Sequence, residues 1–285
     1  MRVLTRKLLF GCATLVSVAA ALSPALNAQS STDDGPPNVL VIHREYLKPG
    51  KGGQLHERSE SAFVKAFAEA KAEYPYFALD SMSGPSRSLF LFSYSSFADW
   101  EKATAATRGN KALGAKLDQA TLMDGDLLSS YDGVVLMLRP DLSLNKGSIE
   151  GTRYFEITTF VVKPGHRREF TELAHMYIEA NKKVSPDAHW DCFETVYGNP
   201  IVGGGGGGAT FVVINTVKSL AETDKSMLDS PKLEEALGAA GLQKAGELEA
   251  ASVEVTTTNL FAINPRESNP NTEWVKKDPT FWKGQ

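Results

Sequence analysis

Cysteine is scarce in this sequence. Only Cys12 and Cys192 occur, and Cys12 lies in an amino-terminal segment that reads as removable, so no internal disulfide framework is available. There is no Cys-x-x-Cys pair, no Gly-x-Ser-x-Gly elbow and no dinucleotide-binding glycine fingerprint. Those absences lean against a dedicated hydrolase or redox enzyme. Positive charge is also short: 30 Lys and Arg stand against 34 Asp and Glu, a net of −4. Such a chain has little electrostatic reason to bind nucleic acid or anionic lipid.

Long apolar runs are confined to the first 28 residues. Arg2, Arg6 and Lys7 precede an uncharged apolar stretch from Leu8 to Leu22, and "ALNA" ends before Gln29. This is the layout of a secretory signal peptide. It implies an exported product, periplasmic or extracellular, with no membrane contact after cleavage. A single membrane anchor competes, because the run approaches the lower limit for a spanning helix, but Ser23-Pro24 interrupts it and no stop-transfer charges follow. A lipid anchor at Cys12 would have too few apolar residues before it. With Arg2, Arg6 and Lys7 gone, 27 basic residues face 34 acidic ones. The remaining chain is ample for a buried core without staples. Cys192, inside "HWDCFETVY", reads as a small buried residue rather than a nucleophile.

What the sequence does contain is a repeat. "YLKPGKGGQLHE" from Tyr46 is answered by "VVKPGHRREFTE" from Val161, 115 positions later. At that offset Lys48-Pro49-Gly50 matches Lys163-Pro164-Gly165, Leu55 matches Phe170, Glu57 matches Glu172 and Pro85 matches Pro200. Farther on, "FADWEK" from Phe97 pairs with "LAETDK" from Leu220 at an offset of 123, and the glycine run 203–208 falls where the extra residues enter. A β-branched run, "ATFVVINTV", follows the glycines, so they read as an enlarged hairpin loop and not as a phosphate cradle, which needs a helix amino-terminus behind it.

Each half reads as strand, helix, strand, strand, helix, strand, a βαββαβ ferredoxin-like unit. The expected organisation is a signal peptide over 1–28, a first unit over 38–145, a second over 152–264 and an aperiodic tail over 265–285, with the boundary near Asn145. The first-half helix from Gly50 to Tyr74 should turn Leu55, Ala62, Phe63, Ala66, Phe67 and Ala70 inward. The stretch from Phe97 to Ser130 reads as helix in two pieces, with "GVVLML" as the closing strand. The bare face of each four-stranded sheet can bury the other, closing an eight-stranded barrel.

On "YFEITTFVVKPGHRREFTEL", its weaker first-half copy and "SSFADWEK", the chain resembles the dimeric α/β-barrel superfamily, and within it the NIPSNAP-like and antibiotic-biosynthesis-monooxygenase-like domains. The resemblance implies an α+β fold of two tandem ferredoxin-like units forming a pseudo-dimeric barrel. Its members host cofactor-independent oxygenation, haem handling and plain ligand binding, and no catalytic set carries over residue by residue.

Strand alternation then proposes a cleft. If Phe155, Ile157 and Val161 meet the helices, the interior receives Tyr154, Glu156, Thr158 and Phe160. The first-half counterparts are Val39, Val41, His43 and Glu45. The second strands add Tyr76, Ala78 and Asp80 beside Asp191, Phe193 and Thr195. The expected ligand-binding set is His43, Glu45, Tyr76, Asp80, Glu156, Thr158 and Asp191, with His43 as candidate base and Glu156 as its orienting partner. Some of these carboxylates could instead be wet strand ends or paired among themselves.

No metal or cofactor is expected. Glu172, His175 and Glu179 share a helical face, but that face is the solvated one. His189 and Asp191 flank Trp190 and offer two ligands without a third. Three functions stay open: a binding module holding a small, partly apolar molecule in the barrel cleft; a cofactor-independent oxygenase acting there; and an interaction module using Trp274, Phe281 and Trp282 of the tail. A homo-oligomer is compatible with each.

Overall fold

The computed structural model describes residues 35–145, 147–198 and 208–283. The expected signal peptide and most of the glycine run lie outside the described residues. The repeated Lys-Pro-Gly is a pair of matching turns. The Lys51 amide donates to the Lys48 carbonyl at 3.0 Å and the His166 amide to the Lys163 carbonyl at 3.1 Å. Gly50 and Gly165 both have positive φ, 75° and 86°. Proline before a left-handed glycine is what a type II turn demands, which is why the motif is written the same way twice.

Strands β1 (Val39–Leu47), β2 (Phe77–Ser81), β3 (Arg87–Tyr94) and β4 (Leu128–Leu138) enclose helices α1 (Gln54–Glu69), α2 (Phe97–Gly109) and α3 (Lys111–Gly125) in the chain. The second half runs β5 (Tyr154–Val162), α4 (Arg167–Val184), β6 (Asp191–Tyr197), β7 (Thr210–Val217), α5 (Leu220–Ser252) and β8 (Val253–Ile263). Helix α5 breaks at Gly238, whose φ is 67°. Strand β4 begins at Leu128, inside the stretch expected to be helical.

The strands close a barrel in the order β1-β3-β2-β8-β5-β7-β6-β4. Within each half the pairing order is therefore the same: β4-β1-β3-β2 and β8-β5-β7-β6. The seams are β2 on β8, with Leu79 opposite Ile263, and β4 on β6, with Leu136 opposite Thr195. Closure leaves no unpaired edge.

Three apolar layers result. Leu40, Leu79, Leu136, Phe155, Phe193 and Phe261 belong to one interior cluster fed by both halves. Outside it, Val41, Phe67, Ala78, Phe90 and Leu113 fill the layer between sheet and helices in the first half. Phe170, Cys192, Phe211 and Val162 fill that layer in the second. Cys192 is buried and burial pushes its thiol up to about 12, an inert core position.

The tail is not irregular. Asn271 caps α6 (Thr272–Lys277) by accepting from the Trp274 amide, and α7 (Pro279–Lys283) follows. Trp274 stacks on Phe77 with centroids 4.0 Å apart and planes at 13°. The Arg153 guanidinium lies 3.9 Å from the Phe281 ring centroid and pairs with Asp278 at 2.5 Å. Trp274, Phe281 and Trp282 thus pack, partly buried, against the barrel. Among the described residues, no helix is long and apolar enough to cross a membrane.

Candidate functional site

Where the tail meets one end of the barrel, a cavity of about 290 Å³ remains, at the small end of ligand pockets. Leu40, Phe77 and Leu91 from the first half and Phe155, Phe193 and Ile214 from the second form its apolar walls. Ser93, Thr216 and Asp191 supply polar groups, and Glu273, Trp274 and Lys277 of α6 complete the lining. Asp191 opens β6 at this end. Its Oδ1 is buried without a hydrogen-bond partner. Burial pushes its carboxyl up to about 6, against a smaller opposing pull from His189. The Thr216 hydroxyl lies 3.0 Å from His189 Nε2, which fixes that ring beside the carboxylate.

Most of the residues expected to line the cleft face the other way. Phe155 and Ile157 point into the barrel, while Phe160 joins the helix-facing layer. In the first half Leu40 and Ile42 point in, and Val39, Val41, Tyr76 and Ala78 face the helices. The alternation was assigned with inverted sense in β1, β2 and β5. The cause is plain in β1, where Val39 to Ile42 are all buried: a strand covered on both faces carries no polar–apolar alternation to read.

His43 accordingly sits on the outer face, 5.1 Å from the Phe92 centroid and 5.7 Å from that of Tyr131. Burial holds its pKa below the ordinary histidine value, so it stays neutral at pH 7. Asp80 accepts from Ser88 Oγ at 2.6 Å and Asn264 Nδ2 at 2.9 Å. Glu156 and Thr158 share the outer face of β5, where Thr158 meets the Thr258 hydroxyl at 2.9 Å. His43 and Glu156 therefore do not meet in the cavity. Of the expected set, Asp191 lines it. Trp274, Ser93 and Thr216 were missed; the tail showed no periodicity that would have flagged Trp274.

A second concentration of polar groups lies in the first-half layer between sheet and helices. Helix α1 presents His56, Ser59 and Glu60 inward ahead of Ala66 and Phe67, a spacing of three and four that makes one stripe. Leu55, expected inward, is 44% exposed and His56 only 1%. The His56 Nε2 atom lies 3.1 Å from Glu45, 3.7 Å from Asp124 and 4.0 Å from Glu60; its Nδ1 lies 3.3 Å from Glu267. Burial alone would lower the His56 pKa, but hydrogen bonds to Glu267 and Glu45 and the surrounding negative charge raise it to about 11. Burial pushes Glu267 up to about 7 and also raises Glu45 and Glu60, where neighbouring carboxylates add to the effect. His56, Glu45, Glu60 and Glu267 all hold their protons more tightly than they would in water. The α4 face that carried the Glu-x-x-His spacing is different: Glu172 pairs with Lys244 and Glu179 with Lys182, both at the surface.

No protein-family model matches the sequence, and no curated protein matches it. Solved structures do. A Fusobacterium nucleatum protein described as a candidate monooxygenase aligns at a TM-score of 0.50 and 10% identity, covering 80% of this chain and 93% of that one. An anthrone oxidase-like protein aligns at 0.48 and 12%, covering 82% and 92%. A mutant chlorite dismutase from Candidatus Nitrospira defluvii aligns at 0.46 and 11%, covering 85% and 95%. At these identities the likeness is one of fold: the chain shares the fold of the Fusobacterium nucleatum protein.

Proposed function

We propose that this is an exported binding protein that holds a small, partly aromatic molecule in the barrel cavity. Its two halves, 38–145 and 152–264, are read as tandem ferredoxin-like repeats of the dimeric α/β-barrel superfamily. The observation that carries the proposal is Asp191: a carboxylate that lines a cavity walled by phenylalanine and aliphatic side chains and keeps one oxygen, Oδ1, buried without a hydrogen-bond partner. A ligand bearing a hydroxyl or amine donor on an apolar frame pairs with that carboxylate and covers those walls together. Export rests on the layout of residues 1–28.

The same carboxylate supports a second reading, an oxygenase-type enzyme acting without its own cofactor. A pKa near 6 suits a general base at neutral pH, and a phenol-type substrate held by Asp191 would surrender its proton to that carboxylate. Native mass spectrometry of protein purified from its own host tests the binding proposal. A bound mass present in the wild type and lost in Asp191→Asn is the expected result. Wild-type protein that carries no adduct and binds no member of a phenol and arylamine panel contradicts it. Turnover of a panel member, with oxygen uptake, selects the enzyme reading.

A further inference from the structure

Four carboxylates and one imidazole are buried together beneath α1, away from the cavity and sharing none of its lining residues. They arrive from separate places: Glu45 from β1, His56 and Glu60 from α1, Asp124 from the end of α3, and Glu267 from the segment after β8. All five residues are buried, Glu267 and His56 to 1% exposure. Among the described residues, the ion pairs that reach these carboxylates all run to His56. One imidazolium cannot neutralise four buried carboxylates, and isolated buried charge is among the costliest features a fold can carry. Oxygens of Glu60, Asp124 and Glu267 are also buried without hydrogen-bond partners.

From this geometry we infer that His56, Glu45, Glu60 and Asp124 hold a divalent metal ion, with Glu267 as the group that orients His56. Three features support it. The ligand atoms of the four residues lie within 4.8 Å of one another. An ion with bonds of about 2.1 Å spaces opposed ligands by about 4.2 Å, so a small contraction closes the set. His56 presents Nε2 to three carboxylates and Nδ1 to a fourth, the carboxylate–histidine–metal arrangement that fixes a ring's tautomer and direction. Finally, the partnerless oxygens of Glu60 and Asp124 are nine-tenths buried or more and face the same point as His56 Nε2.

The donor set narrows the metal. Three carboxylates favour a hard ion, and one imidazole favours a transition ion over Mg²⁺ or Ca²⁺. Mn²⁺ meets both and is the probe of choice. The full chain is stripped with a chelator and titrated with Mn²⁺, with binding read by calorimetry and by pulsed electron paramagnetic resonance. One ion per chain, a raised melting temperature and a nitrogen hyperfine coupling are expected. Glu60→Gln and Asp124→Asn should each weaken binding about 10-fold or more, and Glu267→Gln about 10-fold; His56→Gln should abolish the nitrogen coupling. Asp191→Asn, in the cavity, should leave Mn²⁺ binding unchanged. Folded wild-type protein that binds neither Mn²⁺ nor Zn²⁺ would overturn the inference and leave a proton-sharing cluster. Wild-type Mn²⁺ binding without a nitrogen coupling, or undiminished in the folded carboxylate variants, would overturn it as well.

Discussion

In the second half, Phe160 of β5 meets Phe170 of α4 with ring centroids 5.4 Å apart. At the corresponding place in the first half, Glu45 of β1 meets His56 of α1 at 3.1 Å. The strands correspond at the repeat offset of 115, but the helices are displaced by one residue. The second half passes from its turn straight into α4 at Arg167, whereas Gly52 and Gly53 delay α1 until Gln54. His56, Ser59 and Glu60 thereby occupy the inward positions that Phe170, Leu173 and Ala174 fill in α4. At this position the second half needs only hydrocarbon, the charges of its layer being the Arg139, Arg167 and Glu194 ion pairs that lie over Phe211. The charges of the first half are not a requirement of the fold, and buried charge without a structural need points to a function.

That contrast can be broken most forcefully by exchanging its central residue. His56→Phe places the α4 side chain into α1 but strips four buried carboxylates of their one cationic partner. It should destabilise the chelator-treated protein by about 3–5 kcal/mol at pH 7, measured by denaturant unfolding. A cost below about 1 kcal/mol would mean that the first-half layer tolerates hydrocarbon as readily as the second.

The next effect concerns the cover of the cavity. Trp274→Ala removes the ring stacked on Phe77 and should cost about 1–2 kcal/mol, while loosening any bound ligand. Unchanged ligand retention, by native mass spectrometry, would show that α6 does not close the site.

Asp191→Asn sharpens the second half's own role. The folded pKa of about 6 stands above the ordinary 3.8, so the folded chain binds that proton more tightly than the unfolded one. The resulting stability is fully present below about pH 3.8 and is lost as pH rises through about 6. The variant should lack that slope and exceed the wild type at pH 7 by on the order of 1 kcal/mol. Parallel pH profiles would contradict the burial assigned to this carboxylate.

The smallest effect belongs to the residues that alternation alone brought forward. His43→Ala and Glu156→Gln should leave cavity occupancy unchanged, since both lie on the outer face of the barrel, and stability should move by no more than about 1 kcal/mol. Ligand loss in either variant would return them to the site.

These outcomes also mark how far the sequence could be read. The element order was legible because a turn with proline and left-handed glycine has few alternatives, and its recurrence locked two copies of the same pattern together. The facing of the strands was not. Val39 to Ile42 are buried on both sides, and period-two reasoning needs one wet face; in β5 the alternation of Phe155 and Ile157 with Glu156 and Thr158 is legible, but it does not say that the apolar side turns into the barrel and not toward the helices. Helix α1 failed differently: Leu55 matched Phe170 in the alignment, but Gly52 and Gly53, standing where Arg167 and Arg168 already begin α4, delay the helix, and Leu55 turns outward while His56 turns in. Asp124 and Glu267 join His56 only through tertiary contacts, so no spacing in the chain announces the cluster.

The central claim is that the barrel cavity exists to hold a small molecule against Asp191. A crystal structure of protein purified from its own host tests this most directly. Non-protein density in the cavity, with a donor atom at hydrogen-bond distance from the Asp191 carboxylate, is the predicted result. A cavity closed by Phe77, Phe155 and Phe193 side chains, with Asp191 paired to protein atoms, would contradict it.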